Sequence, residues 1–154
     1  MKVFSNAGYG MLGVILALAA NTYADGVADK VMVSDAYVRA IPPVVKTTAA
    51  FMQLQNHDAV EHFLVGASAP VAGAAELHMH TMDDGVMRMR RIAHIHLPPG
   101  KSVALQPGGL HIMMFDLKSP LSPGGQVPIT LTFSDGSSKE VSATVRSVLQ
   151  TMKH

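Results

Sequence analysis

Apolar and polar residues alternate along most of the chain after residue 30. The runs at 31–39 and 127–133 carry β-branched or aromatic residues in loose alternation with polar ones, which is typical of half-buried strands. Further strands are predicted at 47–55, 61–67, 101–105, 110–115 and 139–145, and a hairpin is predicted within 76–90. Clusters rich in Gly, Pro, Asn and Asp separate the runs at intervals of roughly ten residues. The pattern therefore predicts an antiparallel β-sandwich or barrel.

The pattern after residue 24 indicates a single domain. It contains no helical period with capping residues, no internal repeat and no low-complexity linker. We therefore expect one β-sandwich domain at residues 25–146 and a short tail at 147–154.

The first 24 residues have a different pattern, that of a secretory signal peptide. An apolar run at 11–20 follows Lys2, and Thr22 and Ala24 place small residues before the expected cleavage point. The alternative is a retained membrane anchor, although the run is short for spanning a bilayer. No cysteine follows the cleavage point, so we expect no lipid attachment there. We expect a periplasmic protein with no membrane association after cleavage.

The composition excludes several kinds of site. The 154 residues carry a formal net charge of +1 with neutral histidines, and no basic run indicates binding to nucleic acid. The absence of cysteine excludes disulfides, iron–sulfur clusters, thiolate zinc sites and cysteine nucleophiles. It also excludes a blue-copper electron-transfer centre, which needs a cysteine thiolate on the metal. We find no nucleophile with an adjacent base and no phosphate-binding loop, so we expect no enzymatic activity.

Methionine and histidine are concentrated in one quarter of the chain. More than half of the 11 methionines and 8 histidines lie between residues 78 and 114. Copper(I) is a soft ion that accepts thioether sulfur and imidazole nitrogen, whereas zinc rarely takes thioether. A mixed set of methionine and histidine therefore indicates copper(I), which histidines alone would not.

Several of these residues fall on the predicted hairpin, on either side of a turn at 83–85. Alternate residues of a strand share one face, so their relative positions depend on the pairing register. With a two-residue turn, Met82 would face Met87 and His80 would face Met89. A three-residue loop with a bulge at Gly85 would slip the pairing by one residue. The sequence does not decide between these registers.

The spacing of four residues matches a known motif. Ten residues separate His78 from Met89, twenty-one separate Met89 from His111, and one separates His111 from Met113. This pattern resembles the motif of the periplasmic copper chaperones of the PCu(A)C type. Flanking segments are also similar to that family, among them Ala36-Tyr-Val-Arg-Ala40. The resemblance covers residues 30–146.

The resemblance implies a cupredoxin-like, antiparallel Greek-key β-sandwich. It implies that one copper(I) per chain is bound by four residues: His78, Met89, His111 and Met113. It also implies a metallochaperone that delivers copper by ligand exchange toward cytochrome c oxidase assembly. The expected partner is a copper-accepting protein, either an oxidase copper subunit or an Sco-type protein, and we expect the carrier to be a monomer.

Two other functions compete with this one. The first is a periplasmic protein of copper or zinc buffering or resistance that has no dedicated acceptor. The extra histidines and methionines favour it slightly. The second is a copper oxidase, which is disfavoured because no residues supply substrate groups or an electron relay.

Several residues near the motif have no place in it: Met79, His80, Met82, Met87, His94, His96 and Met114. His80 would either take part in metal binding, face solvent or fill a gap in packing, as Met79 and Met82 would. Met87 would be a spare ligand or a rim residue. His94 and His96 would form an auxiliary copper(II) or zinc pair, or only lie on the surface. Three methionines are expected in the core: Met32, Met52 and Met114.

Overall fold

The computed structural model describes residues 26–147. One helical turn precedes ten strands, in this order: α1 (Val27–Lys30), β1 (Val31–Arg39), β2 (Thr48–Asn56), β3 (His62–Ser68), β4 (Ala72–Asp83), β5 (Val86–Arg91), β6 (Ile95–Leu97), β7 (Ser102–Leu105), β8 (His111–Leu117), β9 (Gln126–Phe133) and β10 (Ser138–Arg146). The predicted signal peptide at 1–24 and residues 148–154 of the predicted tail lie outside the described residues. No helix within the described part is both long and apolar enough to cross a membrane.

The strands form one hydrogen-bonded path in the order β5-β4-β8-β2-β1-β10-β9-β3-β6, and β7 pairs with β2 beside this path. Strand β3 packs against β4 although no ladder joins them, which shows that the path curves back on itself. Two facing layers result, so the predicted sandwich is confirmed. All ladders are antiparallel except the one between β1 and β10, which is parallel. Local alternation gives no information about the direction of a distant partner, which is why the sequence did not indicate this pair.

Alternation along β9 shows how the core is built. Four residues, each at most 3% exposed, point into the sandwich from this one strand: Val127, Ile129, Leu131 and Phe133. The residues between them face outward or are half-buried. Full burial of one such side chain contributes about 1.5–3 kcal/mol to folding, so the period of two fixes which face of the strand lies inward.

Two of the three methionines predicted in the core are buried there. Met52 is 1% exposed and Met114 is fully buried, which confirms both predictions. The prediction for Met32 is wrong, because its side chain is 59% exposed. Val31, which is 1% exposed, takes the inward position at this point of β1, and the pleat turns the next side chain to the other face.

The predicted strand positions agree with the structure to within a few residues, with two differences. The three-residue strand β6 was not predicted, since Ile95 and Leu97 are too short a run to show a period. Strand β4 begins at Ala72, four residues before the predicted hairpin at 76–90. The longer β4 carries β5 as the outermost strand of the sheet, and every residue of β5 is exposed.

Candidate metal centre

The β4–β5 hairpin closes with a two-residue turn. Met82 pairs with Met87 and His80 pairs with Met89, as the two-residue alternative predicts. The turn residues Asp84 and Gly85 have φ values of 50° and 77°. Two consecutive positive φ values are the signature of a type I′ turn, whose twist matches that of the flanking strands. This turn therefore fixes which methionines and histidines face one another across the hairpin.

Strand β8 brings the second half of the motif beside β4. His78 pairs with His111 and Glu76 pairs with Met113, so these four side chains belong to one face of the sheet. The residue between the two ligand candidates of β8, Ile112, is fully buried in the core on the other face. The alternation that buries Ile112 thus also turns His111 and Met113 away from the core.

A cavity of about 310 Å³ opens on this face. Three of the four predicted ligands line it, namely Met89, His111 and Met113, and His80 lines it as well. His78 does not line the cavity but lies next to it, with its ring centroid 5.8 Å from that of His111. The ring of His80 is nearer to His111, at 5.1 Å. The fold therefore gathers residues from β4, β5 and β8 that are up to 35 positions apart in sequence.

His111 is held in a form suited to binding a metal. Its Nδ1 lies 3.1 Å from the carbonyl oxygen of Gly109, which can only accept, so Nδ1 carries the proton and donates it. Its Nε2 is then unprotonated and carries a lone pair, and this atom is buried without a hydrogen-bond partner. Burial lowers the pKa of His111, and nearby His80, His78 and Arg39 lower it further against the opposing effect of the Gly109 hydrogen bond. The imidazole is therefore neutral at neutral pH, as a metal ligand must be.

His78 is oriented by a carboxylate. Its Nε2 donates to Oε2 of Glu76 at 2.8 Å, and the Nδ1 of the same ring is buried without a partner. This hydrogen bond from His78 is the main cause that lowers the pKa of Glu76, and the charge of Arg91 adds to it. A carboxylate that binds one imidazole nitrogen and leaves the other free is a common support for metal-binding histidines.

His80 also has a buried Nδ1 without a partner. Three imidazole nitrogens, one each on His78, His80 and His111, thus lack hydrogen bonds on one face of the sheet. Buried polar atoms nearly always have partners, so these three nitrogens are free to bind a ligand in the cavity or beside it.

Imidazoles and carboxylates alone do not make a metal site here. Within residues 26–147, no three His, Cys, Asp or Glu side chains are placed to hold one ion. The other metal donors that line the cavity are the thioethers of Met89 and Met113. Such a donor set fits copper(I) and does not fit zinc.

Arg39 and Phe51 are among the cavity residues that the sequence did not indicate. The guanidinium of Arg39 lies 5.0 Å from the ring centroid of Phe51, and the Phe51 ring is 6.2 Å from that of His111. The ring of Tyr37 lies 5.2 Å from that of Phe51 and is tilted by 36° against it. The two-residue spacing of Tyr37 and Arg39 was a signal that both lie on one face of β1, but the sequence does not show that this face borders His111.

The remaining candidates lie elsewhere. Met87 pairs with Met82 at the tip of the hairpin, and both are more than half exposed. His94 and His96 are exposed on the opposite edge of the sheet, where both rings contact Phe63. His96 also bonds Glu61 at 2.8 Å. Within the described residues these two histidines therefore belong to a separate surface and not to the cavity.

Comparison with known proteins places this fold and site in context. Residues 31–145 match the family model described as "Putative lipoprotein LpqE-like". A "Putative lipoprotein" of Leifsonia xyli subsp. xyli is 35% identical over 139 residues, which cover 89% of this chain and 82% of the relative.

Solved structures give the same result for the fold. The solution structure of the CuI form of DR1885 from Deinococcus radiodurans is 36% identical and covers 84% of this chain and 85% of its own, with a TM-score of 0.57. The copper-bound PCuAC domain from PmoF2 is 24% identical, with a TM-score of 0.65 over 81% of this chain and 97% of its own, and it shows likeness of fold alone. The predicted cupredoxin-like Greek-key sandwich is thereby confirmed. Because the family match spans well over half of the 154 residues, the chain belongs to the LpqE-like family.

Proposed function

We propose that this chain is an exported copper(I) chaperone that binds one ion through His78, Met89, His111 and Met113. The observation that carries the proposal is the cavity on the β5-β4-β8 face. Met89, Met113 and His111 line it, the Nε2 of His111 has no hydrogen-bond partner, and His78 lies beside it with an unpartnered Nδ1. Copper(I) is the ion whose preferences match thioether and neutral imidazole together.

The relatives support the same cargo. The Deinococcus radiodurans protein has a solution structure in its CuI form, and a PCuAC domain has a structure in a copper-bound form. The former is 36% identical to this chain and covers 84% of it, which supports a shared binding chemistry.

The geometry suits a carrier better than a storage site. His111 is only 1% exposed, whereas Met89 is 44% exposed on the outermost strand. A ligand of another protein can therefore approach the ion from the Met89 side while His111 still holds it. Neutral thioethers bind less strongly than thiolates, so an incoming ligand can replace the exposed thioether of Met89. Transfer by ligand exchange follows from this asymmetry between a buried and an exposed ligand.

Destination and location are further parts of the proposal. The N-terminal pattern of residues 1–24 supports export, and the resemblance to PCu(A)C-type chaperones favours an acceptor in cytochrome c oxidase assembly. An oxidase copper subunit or an Sco-type protein would then take the ion. We propose no catalytic step for this chain.

A transfer experiment tests the proposal. Chain loaded with one equivalent of copper(I) is mixed anaerobically with the apo form of a soluble oxidase copper-subunit domain or Sco-type domain, and the two proteins are separated and analysed for copper. The chaperone proposal requires copper to appear on the acceptor faster than it does from an equal concentration of copper(I) bound to a small chelator of similar affinity. The His96→Ala variant, altered on the opposite edge, serves as the matched control and should transfer at the same rate.

A buffering protein is the alternative outcome. Copper would then remain with the chain, or would reach the acceptor no faster than it does from the chelator. The proposal of a copper(I) carrier would be rejected altogether if His111→Ala bound copper(I) as tightly as the unmodified chain.

A further inference from the structure

The proposed four-residue site leaves one feature of the cavity unexplained, namely His80. Its side chain lines the cavity with Met89, His111 and Met113, whereas His78 does not. Across the hairpin His80 is directly opposite Met89, and the side chains of such a pair lie closer than those of the diagonal pair His78 and Met89. By position alone, His80 is better placed than His78 to share an ion with Met89.

His80 is also the nearer imidazole to His111. The ring centroids of His80 and His111 are 5.1 Å apart, against 5.8 Å for His78 and His111. The Nδ1 of His80 is buried without a hydrogen-bond partner, and the Nε2 of His111 is buried in the same state. Neither atom is satisfied by the protein, which is the condition expected of two ligands that await one ion.

The two histidines of β4 are two residues apart on one strand, which is the same spacing as that of the ligand candidates His111 and Met113. Within residues 26–147, however, no three His, Cys, Asp or Glu side chains are placed to hold one ion, so His78 and His80 do not join His111 together in this arrangement. His78 is moreover bound to Glu76 at 2.8 Å, which fixes its ring beside the cavity.

We propose that His80 is a copper(I) ligand of this chain and that it alternates with His78. This inference rests on the proposed copper(I) site and adds a fifth donor to it. With His111, Met89 and Met113 as the common ligands, the ion has two imidazole positions on β4, one at His78 next to the cavity and one at His80 opposite Met89. Copper(I) binds few ligands at a time, so one position is vacant whenever the other is filled. The exchange moves the ion along β4 toward the exposed end of the cavity, where Met89 lies on the edge strand.

The test is a double-mutant series on the full chain. Copper(I) affinity is measured anaerobically against a competing chelator for His78→Ala, His80→Ala and the double variant, with His111→Ala as the reference for loss of a shared ligand. His96→Ala is the matched control, because His96 bonds a glutamate at the same 2.8 Å distance as His78 but lies on the other edge. Circular dichroism of each apo variant checks the fold, and His80→Asn replaces any His80→Ala variant that unfolds.

If the ion alternates between His78 and His80, the effects of the two single substitutions on copper(I) affinity are not additive. Each single variant should weaken binding by less than about tenfold, while the double variant should weaken it as much as His111→Ala does. In heteronuclear spectra, copper(I) should shift the ring signals of both His78 and His80 and leave those of His96 unchanged. The inference would be overturned if His80→Ala bound copper(I) with wild-type affinity while His78→Ala already showed the full loss. It would also be overturned if His80→Ala weakened binding and His78→Ala did not. Undiminished binding by His111→Ala is a different result, which removes the copper(I) site itself.

Discussion

Met89 provides a sharp test of the site, because Met87 offers a control on the same strand. Both side chains are on the exposed edge strand, on the same face, at 44% and 57% exposure. Met89 pairs with His80 and lines the cavity, whereas Met87 pairs with Met82 at the hairpin tip. The two substitutions Met89→Ala and Met87→Ala thus remove the same group from nearly the same surroundings, and they differ in access to the ion.

The expected magnitudes follow from exposure and from position. Neither side chain is buried, so each substitution should change the free energy of unfolding of the apo protein by no more than about 0.5 kcal/mol. Residues that merely support metal ligands typically contribute about 10–100-fold to affinity, so loss of a direct ligand should cost at least tenfold. Met89→Ala should therefore weaken copper(I) binding by tenfold or more, which corresponds to about 1.4 kcal/mol or more. Met87→Ala should bind as the unmodified chain does.

The assay is an anaerobic titration against a copper(I) chelator, accompanied by urea unfolding of each apo protein. Equal affinities for the two variants would refute the assignment of Met89, whether both bind tightly or both bind weakly. A large stability loss in Met89→Ala would refute the premise that its side chain contributes little to the fold.

Three further predictions concern the scaffold. Met114→Ala should destabilise the protein by about 2–5 kcal/mol in urea unfolding, because it empties a fully buried position, while Met32→Ala at a 59% exposed position should change stability by less than about 0.5 kcal/mol. Gly85→Ala should lower the free energy of unfolding by about 1 kcal/mol and weaken copper(I) binding, because φ at this position is +77°. The cause is the backbone conformation and not crowding, since no atom lies within 4 Å of the added Cβ. Unchanged stability would show that the turn can change type. A hydrogen bond from Ser137 is the main cause that lowers the pKa of Asp135 below its ordinary value. The Asp135 carboxylate therefore stabilises the fold above the ordinary aspartate range, and this contribution is lost as the pH falls through the lowered pKa. Asp135→Asn should thus lower stability at neutral pH by about 1 kcal/mol and reduce the difference between neutral pH and about pH 3, as followed by urea unfolding.

The strands were predictable because burial on one face produces a local signal. In β9, apolar residues at every second position predict both the strand and its buried face, and the structure agrees. The same rule gave the wrong result for Met32, where apolar residues are consecutive and the pleat alone decides which of them lies inward. The parallel pairing of β1 with β10 had no local signal at all, since it joins the two ends of the domain.

The β4–β5 hairpin shows how much of the strand pairing can be predicted from the residues of the turn. The Asp-Gly pair allowed a two-residue turn but also a longer loop, and only the positive φ of both Asp84 and Gly85 in the folded chain decides for the former. Once this register is fixed, the partner of every residue on β5 follows, including the pairing of Met89 with His80.

The sequence by itself determined the kind of chemistry in this protein, namely soft sulfur and imidazole donors without thiolate, and the strands that carry them. Tertiary structure alone decided which of these donors meet. Met89 and His111 are separated by twenty-one residues, and only the order β5-β4-β8 places both beside one cavity. The same order decided that His80 lines that cavity while His78 is bound to Glu76 beside it. The physical reason is that the side-chain period of a strand selects a face, whereas the neighbours on that face depend on pairing between strands that are distant in sequence.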